Sequence, residues 1–253
     1  MTAEPLPTPA PAVRPVRRAR KLPKGAELLA DELRGRIIAD GLQPGDRLAS
    51  ETELIDESGL SRGIVREALR LLEVEGLIRI RRGPRGGIEV AAPDLSQISR
   101  TMSLLFTVDQ TPLSDFFAFR LLVEPYAART AALNQDEAVR HRLADFVDLE
   151  NIDPVRAADF HHELGECAGN EILRVVLGAL HQVLDRHIRI EAIEDADVAA
   201  VQKVHARIAQ AIIDGDPDGA EKHMRRHLEA FQALTEKQGR LGAPIVPRER
   251  WLD

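Results

Sequence analysis

The chain has 253 residues, 44% hydrophobic and only 4% aromatic, with a net charge of -7. That length suits one large domain or two ordinary ones, and an apolar set dominated by Leu, Ala, Val and Ile favours helices. Cys167 is the only cysteine, which excludes an internal disulfide and suits a reducing cytoplasm; no apolar run nears the roughly 20 residues that cross a bilayer, and the first 25 residues lack a signal-peptide pattern.

The charge is unevenly spread. Residues 1–93 hold 16 Lys+Arg against 14 Asp+Glu, and the remainder holds 18 against 27. A mildly basic front half joined to an acidic back half suits a nucleic-acid module attached to a domain that repels DNA.

Residues 1–24 read as a disordered Pro/Ala tail ending in a basic run (Arg17, Arg18, Arg20, Lys21, Lys24), either a solvated tail or an arm for phosphates. A first helix is predicted over 26–39, with Ala26, Leu29, Ala30, Leu33 and Ile37 on one face. Gly41 stops it and Pro44-Gly45-Asp46 forms a turn. Ser50 with Glu53 makes a capping box that opens a second helix to about Glu57. Gly59 breaks the chain. Ser61 caps a third helix over about 62–75, which buries Val65, Ala68, Leu69 and Leu72 and shows Arg62, Gly63, Arg66 and Arg70 on the other side. Gly76 ends it. Leu77–Arg81 and Ile88–Val90 are β-prone runs joined by a basic, glycine-rich tip, so a hairpin is expected.

This order is the winged helix-turn-helix layout, spanning 25–91. In such a module the N-terminal side chains of the third helix face base edges in the major groove. Arg62 and Arg66 stand there, and either can pair with guanine O6 and N7, worth about 1–3 kcal/mol of discrimination. Arg70 extends the face, Gly63 permits close backbone approach, Ser50, Thr52 and Ser61 can donate to phosphates, and Arg82 and Gly83 lie at the wing tip. Arginines alone would as readily form a solvated face paired with Glu67 and Glu73; the capping box, turn and wing in sequence favour DNA. A single module makes few contacts, so a homodimer on a near-palindromic double-stranded operator is expected.

Beyond a linker at 91–94, residues 95–237 are helical in pattern throughout, with helices near 95–107, 112–133, 135–149, 154–168, 171–191, 195–214 and 217–237. Asp153-Pro154 reads as an N-cap followed by proline. Residues 238–253 read as a C-terminal tail, frayed from about 240. The fold class is therefore mainly α: a winged helix-turn-helix domain followed by an all-helical bundle.

Three histidines lie within apolar helix faces: His161 among Ala157, Phe160, Leu164 and Ala168, His205 among Val201, Val204, Ile208 and Ile212, and His227 beside Met224, Leu228 and Phe231. Inward histidines on three helices can converge on one metal ion or can each be a satisfied core residue. His181 also lies near an apolar face, and His223 reads as a surface residue.

The stretch LASETELIDESGLSRGIVREALRLLEVEGLIRIRRGPRGGIEV resembles the DNA-binding domain of the GntR family of bacterial transcription regulators. FRLLVEPYAARTAA, FHHELGECAGN and HARIAQAIIDGDPDGAEKHMRRHL resemble the FadR-type (FCD) effector domain. The resemblance implies an all-helical bundle that binds a small organic acid or related metabolite and, through it, controls operator binding, usually in repression. It also implies that His161, His205 and His227 hold a divalent metal of zinc, nickel or manganese type. The family's usual aspartate one turn before the first histidine is replaced by Ala157, and Asp159 points off that face, so either the metal keeps three histidines plus water or effector, or another group substitutes, or the metal is lost. Arg120 and Glu124 match the family's Arg-x-x-x-Glu pattern. Arg120 is thus a candidate partner for an effector carboxylate, or simply an i,i+4 ion pair with Glu124. The rivals are an enzyme with a three-histidine metal, opposed by the lack of paired carboxylates other than Glu163 and Glu166, and a ligand-free architectural DNA protein.

Overall fold

The computed structural model describes residues 24–81, 83, 86–92, 94–134, 136–148, 159–187 and 195–251. The tail before Lys24, the Asp153-Pro154 cap, Ala157, Arg82 and Arg85 lie outside them. The chain divides into two compact units, Met1–Pro93 and Asp94–Asp253.

In the first unit, α1 (Lys24–Ala39), α2 (Glu51–Ser58) and α3 (Arg62–Val74) pack over a hairpin of β1 (Ile78–Arg81) and β2 (Gly87–Val90). The predicted apolar positions of α1 and α3 are the buried ones, and they meet Leu54, Ile78, Ile88 and Val90 in one core. The capping box forms as expected: the Ser50 side chain accepts from the Glu53 amide at 3.3 Å, and the Ser50 amide donates to Glu53 Oε2 at 2.7 Å. Ser61 stands at the N-cap of α3 with extended backbone, but its side chain makes no capping hydrogen bond. Gly59 and Gly76 turn the chain at φ 64 and φ 73, a left-handed region that glycine enters without a Cβ penalty. The strands are antiparallel, with Ile78 opposite Val90 and Arg81 opposite Gly87. One pairing was not anticipated. The segment around Arg47 runs along the other edge of β2, where the Leu48 amide donates to the Ile88 carbonyl and the Val90 amide to the Asp46 carbonyl.

The second unit holds α4 (Leu95–Asp109), α5 (Leu113–Leu133), α6 (Glu137–Val147), α7 (Phe160–Cys167), α8 (Glu171–His187), α9 (Asp195–Ile213) and α10 (Pro217–Lys237), with a short 3-10 turn at Arg248–Trp251. The long helices α5 and α10 pack together, α9 lies on α6 and α10, and α7 packs on α8. Their core runs from Ala127, Leu143 and Phe146 through Phe160 and Leu164 to Ile208, Met224 and Leu228.

The expectation of a frayed end beyond about 240 does not hold. The Leu113 and Ser114 amides donate to the Ala243 and Leu241 carbonyls, and the Ile245 amide donates to the Thr111 carbonyl. Ile245 and Val246 are buried against Leu113, Phe116, Phe117 and Val183. Two apolar residues and otherwise unpaired amides at the start of α5 complete each other here.

Candidate functional site

Two clusters carry chemistry, one in each unit. On the first, Arg62, Arg66 and Arg70 are well exposed along α3, and Thr52, Ser61 and Gly63 are exposed near them. A side chain at Gly63 would meet nothing within 4 Å, so packing does not require the glycine. Gly83, exposed at the hairpin tip, adopts φ 107, where glycine is strongly favoured.

These arginines are not bare. The Nε–H of Arg66 is shared between both carboxylate oxygens of Glu51, at 3.0 and 2.9 Å, and Arg62 Nε lies 3.7 Å from the same group. Arg70 pairs with Glu67, and Arg81 with Glu89 at 3.0 Å. Glu73 does not join the face: its carboxylate accepts from the Ile80 amide. Glu51 escaped the sequence reading because nothing in its spacing links it to Arg66, fifteen residues on. Only the turn between α2 and α3 brings the two together.

In the second unit, α7, α9 and α10 deliver His161, His205 and His227 to one point. His227 Nε2 lies 3.3 Å from both His205 Nε2 and His161 Nε2, and a ligand atom from each residue lies within 4.8 Å of the others. Phe160 stacks on the His205 ring with centroids 4.3 Å apart. On the far side of His161, Nδ1 lies 2.7 Å from Glu124 Oε2. Glu124 is buried on α5, and its carboxylate accepts from Nε and Nη2 of the equally buried Arg120. Arg120 in turn sits over the Phe116 ring. The i,i+4 pair foreseen between Arg120 and Glu124 is therefore present.

The electrostatics follow from this layering. Burial alone would raise the Glu124 pKa, but the charge of Arg120, with help from His161, holds the carboxyl well below its ordinary range. Burial also pushes His161, His205 and His227 toward their neutral forms, His227 down to about 3. With Glu124 ionised, the hydrogen bond from His161 uses the Nδ1 proton. Its Nε2 then turns a lone pair toward the other two rings.

The residues fit a metal ion. Neutral imidazoles facing one another with lone pairs repel unless a proton or cation lies between them. The 3.3 Å contacts also match the spacing of nitrogens held about 2.0–2.1 Å from a tetrahedral ion. His205 Nδ1 is buried without a partner among the described residues, so this ring lacks the outer support that Glu124 gives His161.

The other candidates stay apart. Asp159 Oδ1 lies 3.3 Å from His181 Nε2 and is not among the atoms that converge in the triad. Glu163 bonds Arg142 and Glu166 pairs with Arg174, and among the described residues neither carboxylate belongs to the group that converges at the three histidines. His223 is half-buried and lines a cleft of about 350 Å³ between α9 and α10, with Val204 and Phe231 as apolar walls and Arg207 and Arg226 beside them; the cleft reaches His227.

Residues 26–90 match the model of the gntR family of bacterial regulatory proteins, and residues 115–230 match the FCD domain. The chain is 30% identical over 238 residues to the HTH-type transcriptional repressor NanR of Cronobacter sakazakii, covering 87% of this chain and 89% of that protein. It is 28% identical over 207 residues to the HTH-type transcriptional regulator LutR of Bacillus subtilis, covering 76% and 93%. The solved structure of Streptococcus agalactiae GntR shares the fold, with TM-score 0.59 at 22% identity over 82% of this chain and 99% of that one. No helix among the described residues is long and apolar enough to cross a membrane.

Proposed function

The chain belongs to the GntR family of bacterial regulatory proteins, with an FCD domain of the FadR subfamily, and from that premise we propose a homodimeric repressor released from its operator by an organic acid. The family is one of DNA-binding transcriptional regulators, not enzymes.

Arg62, Arg66 and Arg70 read and grip the major groove, while Ser50, Thr52, Ser61 and the backbone at Gly63 reach phosphates. Arg82 and Gly83 make the wing contact. Repression is the reading favoured by relatives such as NanR of Cronobacter sakazakii, itself named a repressor.

One observation carries the sensing half: three imidazole nitrogens from three helices converge, backed by a buried Glu124–Arg120 pair. His161, His205 and His227 hold a divalent metal of zinc, nickel or manganese type. When bound, such an ion supplies a Lewis-acidic position for an effector carboxylate. Arg120, the candidate partner for the charge of the effector, stands behind His161 in a buried pair with Glu124, and Glu124 fixes the tautomer of His161. The apolar cleft reaching His227 suits the body of the acid.

The dimer is supported by an inverted helix. α4 turns Ser99, Ser103 and Thr107 inward and leaves Leu104, Leu105 and Val108 at least half exposed. On α5, Leu122 and Tyr126 are exposed as well. A second copy covering these residues would bury what the monomer leaves in water.

The test is a selection of bound duplexes from a random pool, followed by release assays with a panel of organic acids, with and without zinc. Enrichment of a near-palindromic motif, and its release by one class of acid, is expected. A pool that stays random after selection, or a motif-bound complex indifferent to every acid with and without metal, overturns the reading.

A further inference from the structure

We propose that Glu51 is a positioning residue for base reading, holding Arg66 in the orientation that recognises guanine and making the interface selective rather than merely adhesive. The inference rests on the reading above that α3 faces the major groove.

The geometry is specific. Glu51 is the first residue of α2, and the Ser50–Glu53 capping box anchors the backbone on either side of it. A helix N-terminus favours a carboxylate there. From this fixed point, both oxygens accept the one Nε–H of Arg66. That contact uses the inner edge of the guanidinium and sets the direction of its plane. The two terminal nitrogens form the outer fork, the edge that matches guanine O6 and N7. A long arginine held in place before DNA arrives loses less freedom on binding.

An acidic group among groove-facing arginines also weakens attraction to phosphate. Arg62, 3.7 Å from the same carboxylate, shares that compensation. A protein tuned only for tight, unselective binding would gain by losing Glu51, because each uncompensated cation adds to counterion release. As an exposed ion pair it adds little to folding stability. Its position between two arginines makes sense as selectivity obtained at the expense of general affinity.

The experiment repeats the duplex selection with full-length wild type, Glu51→Gln and Glu51→Asp. It then measures affinity for the selected duplex and for a scrambled one across salt. Glu51→Gln is expected to lower discrimination at one guanine position by about tenfold, the scale of a lost bidentate contact, while affinity for scrambled duplex rises. Glu51→Asp keeps the charge but falls one methylene short of Arg66. It should lose the same base preference without the rise. In an Arg66→Ala background, Glu51→Gln should leave base preference unchanged, since the two act as a unit. The proposal is overturned if both variants keep the wild-type preference, or if selected and scrambled duplexes gain affinity by the same factor in Glu51→Gln. It is also overturned if Glu51→Gln still alters the preference without Arg66. A wild-type pool that yields no motif removes the groove-reading assignment itself, a distinct outcome.

Discussion

His161 Nδ1 lies 2.7 Å from Glu124 Oε2, and this contact decides which nitrogen of the ring faces His205 and His227. Glu124→Gln keeps the size of the side chain but removes the charge that selects the tautomer. Zinc affinity, measured by competition with a chromophoric chelator, should fall about 10–100-fold, as is usual when the outer partner of a ligating histidine is altered. Unchanged affinity would show that the tautomer is set by something else.

Glu124 also neutralises Arg120, and both are buried. Glu124→Ala leaves a buried guanidinium uncompensated and should cost about 3–5 kcal/mol in urea unfolding. Replacing both partners, as in Arg120→Met with Glu124→Leu, should recover most of that loss, because no unpaired charge remains. A double variant as unstable as the single one would argue against charge as the cause.

Metal-free protein should lose stability toward acid. His161, His205 and His227 bind protons more weakly folded than unfolded, His227 with a folded value of about 3. Protonation of these rings therefore favours the unfolded chain as pH falls below about 6.5, the ordinary histidine value. Glu124, also depressed, adds its loss from about pH 4.5 downward. Chelator-treated samples melted at pH 7.5, 6.5, 5.5 and 4.5 should show a falling midpoint; a midpoint that rises between pH 6.5 and 5.5 contradicts the burial of neutral rings.

The two serine caps should behave differently. Ser50 satisfies the Glu53 amide, so Ser50→Ala should cost about 1 kcal/mol. Ser61 makes no capping bond, so Ser61→Ala should leave stability nearly unchanged and show instead as a weaker DNA complex at moderate salt. Equal destabilisation by both would refute the distinction.

The segment that closes on α5 should matter for folding. Ile245 is buried in a satellite core with Phe116 and Phe117, so Ile245→Ala should cost about 2–5 kcal/mol. An unchanged melting temperature would return the C-terminal segment to the status of a frayed end.

Much of this architecture was legible in the amino-acid order because local rules act over a few residues. The apolar spacing of α1 and α3, the Ser50–Glu53 box and the glycines at 59 and 76 each specify a local outcome that tertiary contacts then reinforce. The same holds for the inward faces of His161, His205 and His227, which follow from helical period alone. The C-terminal segment was misread because its few apolar residues carry no periodic pattern, and their burial depends on a docking site more than a hundred residues earlier.

What the linear chain determined by itself is the inventory: a helix with three arginines, a wing, and three inward histidines. What only the folded molecule decided is the pairing between them. Glu51 meets Arg66 across fifteen residues, Glu124 meets His161 across thirty-seven, and His161 meets His227 across sixty-six. Charge and hydrogen bonding act through space over a few ångströms, and periodicity along a helix carries no information about which neighbour a turn will bring within that range.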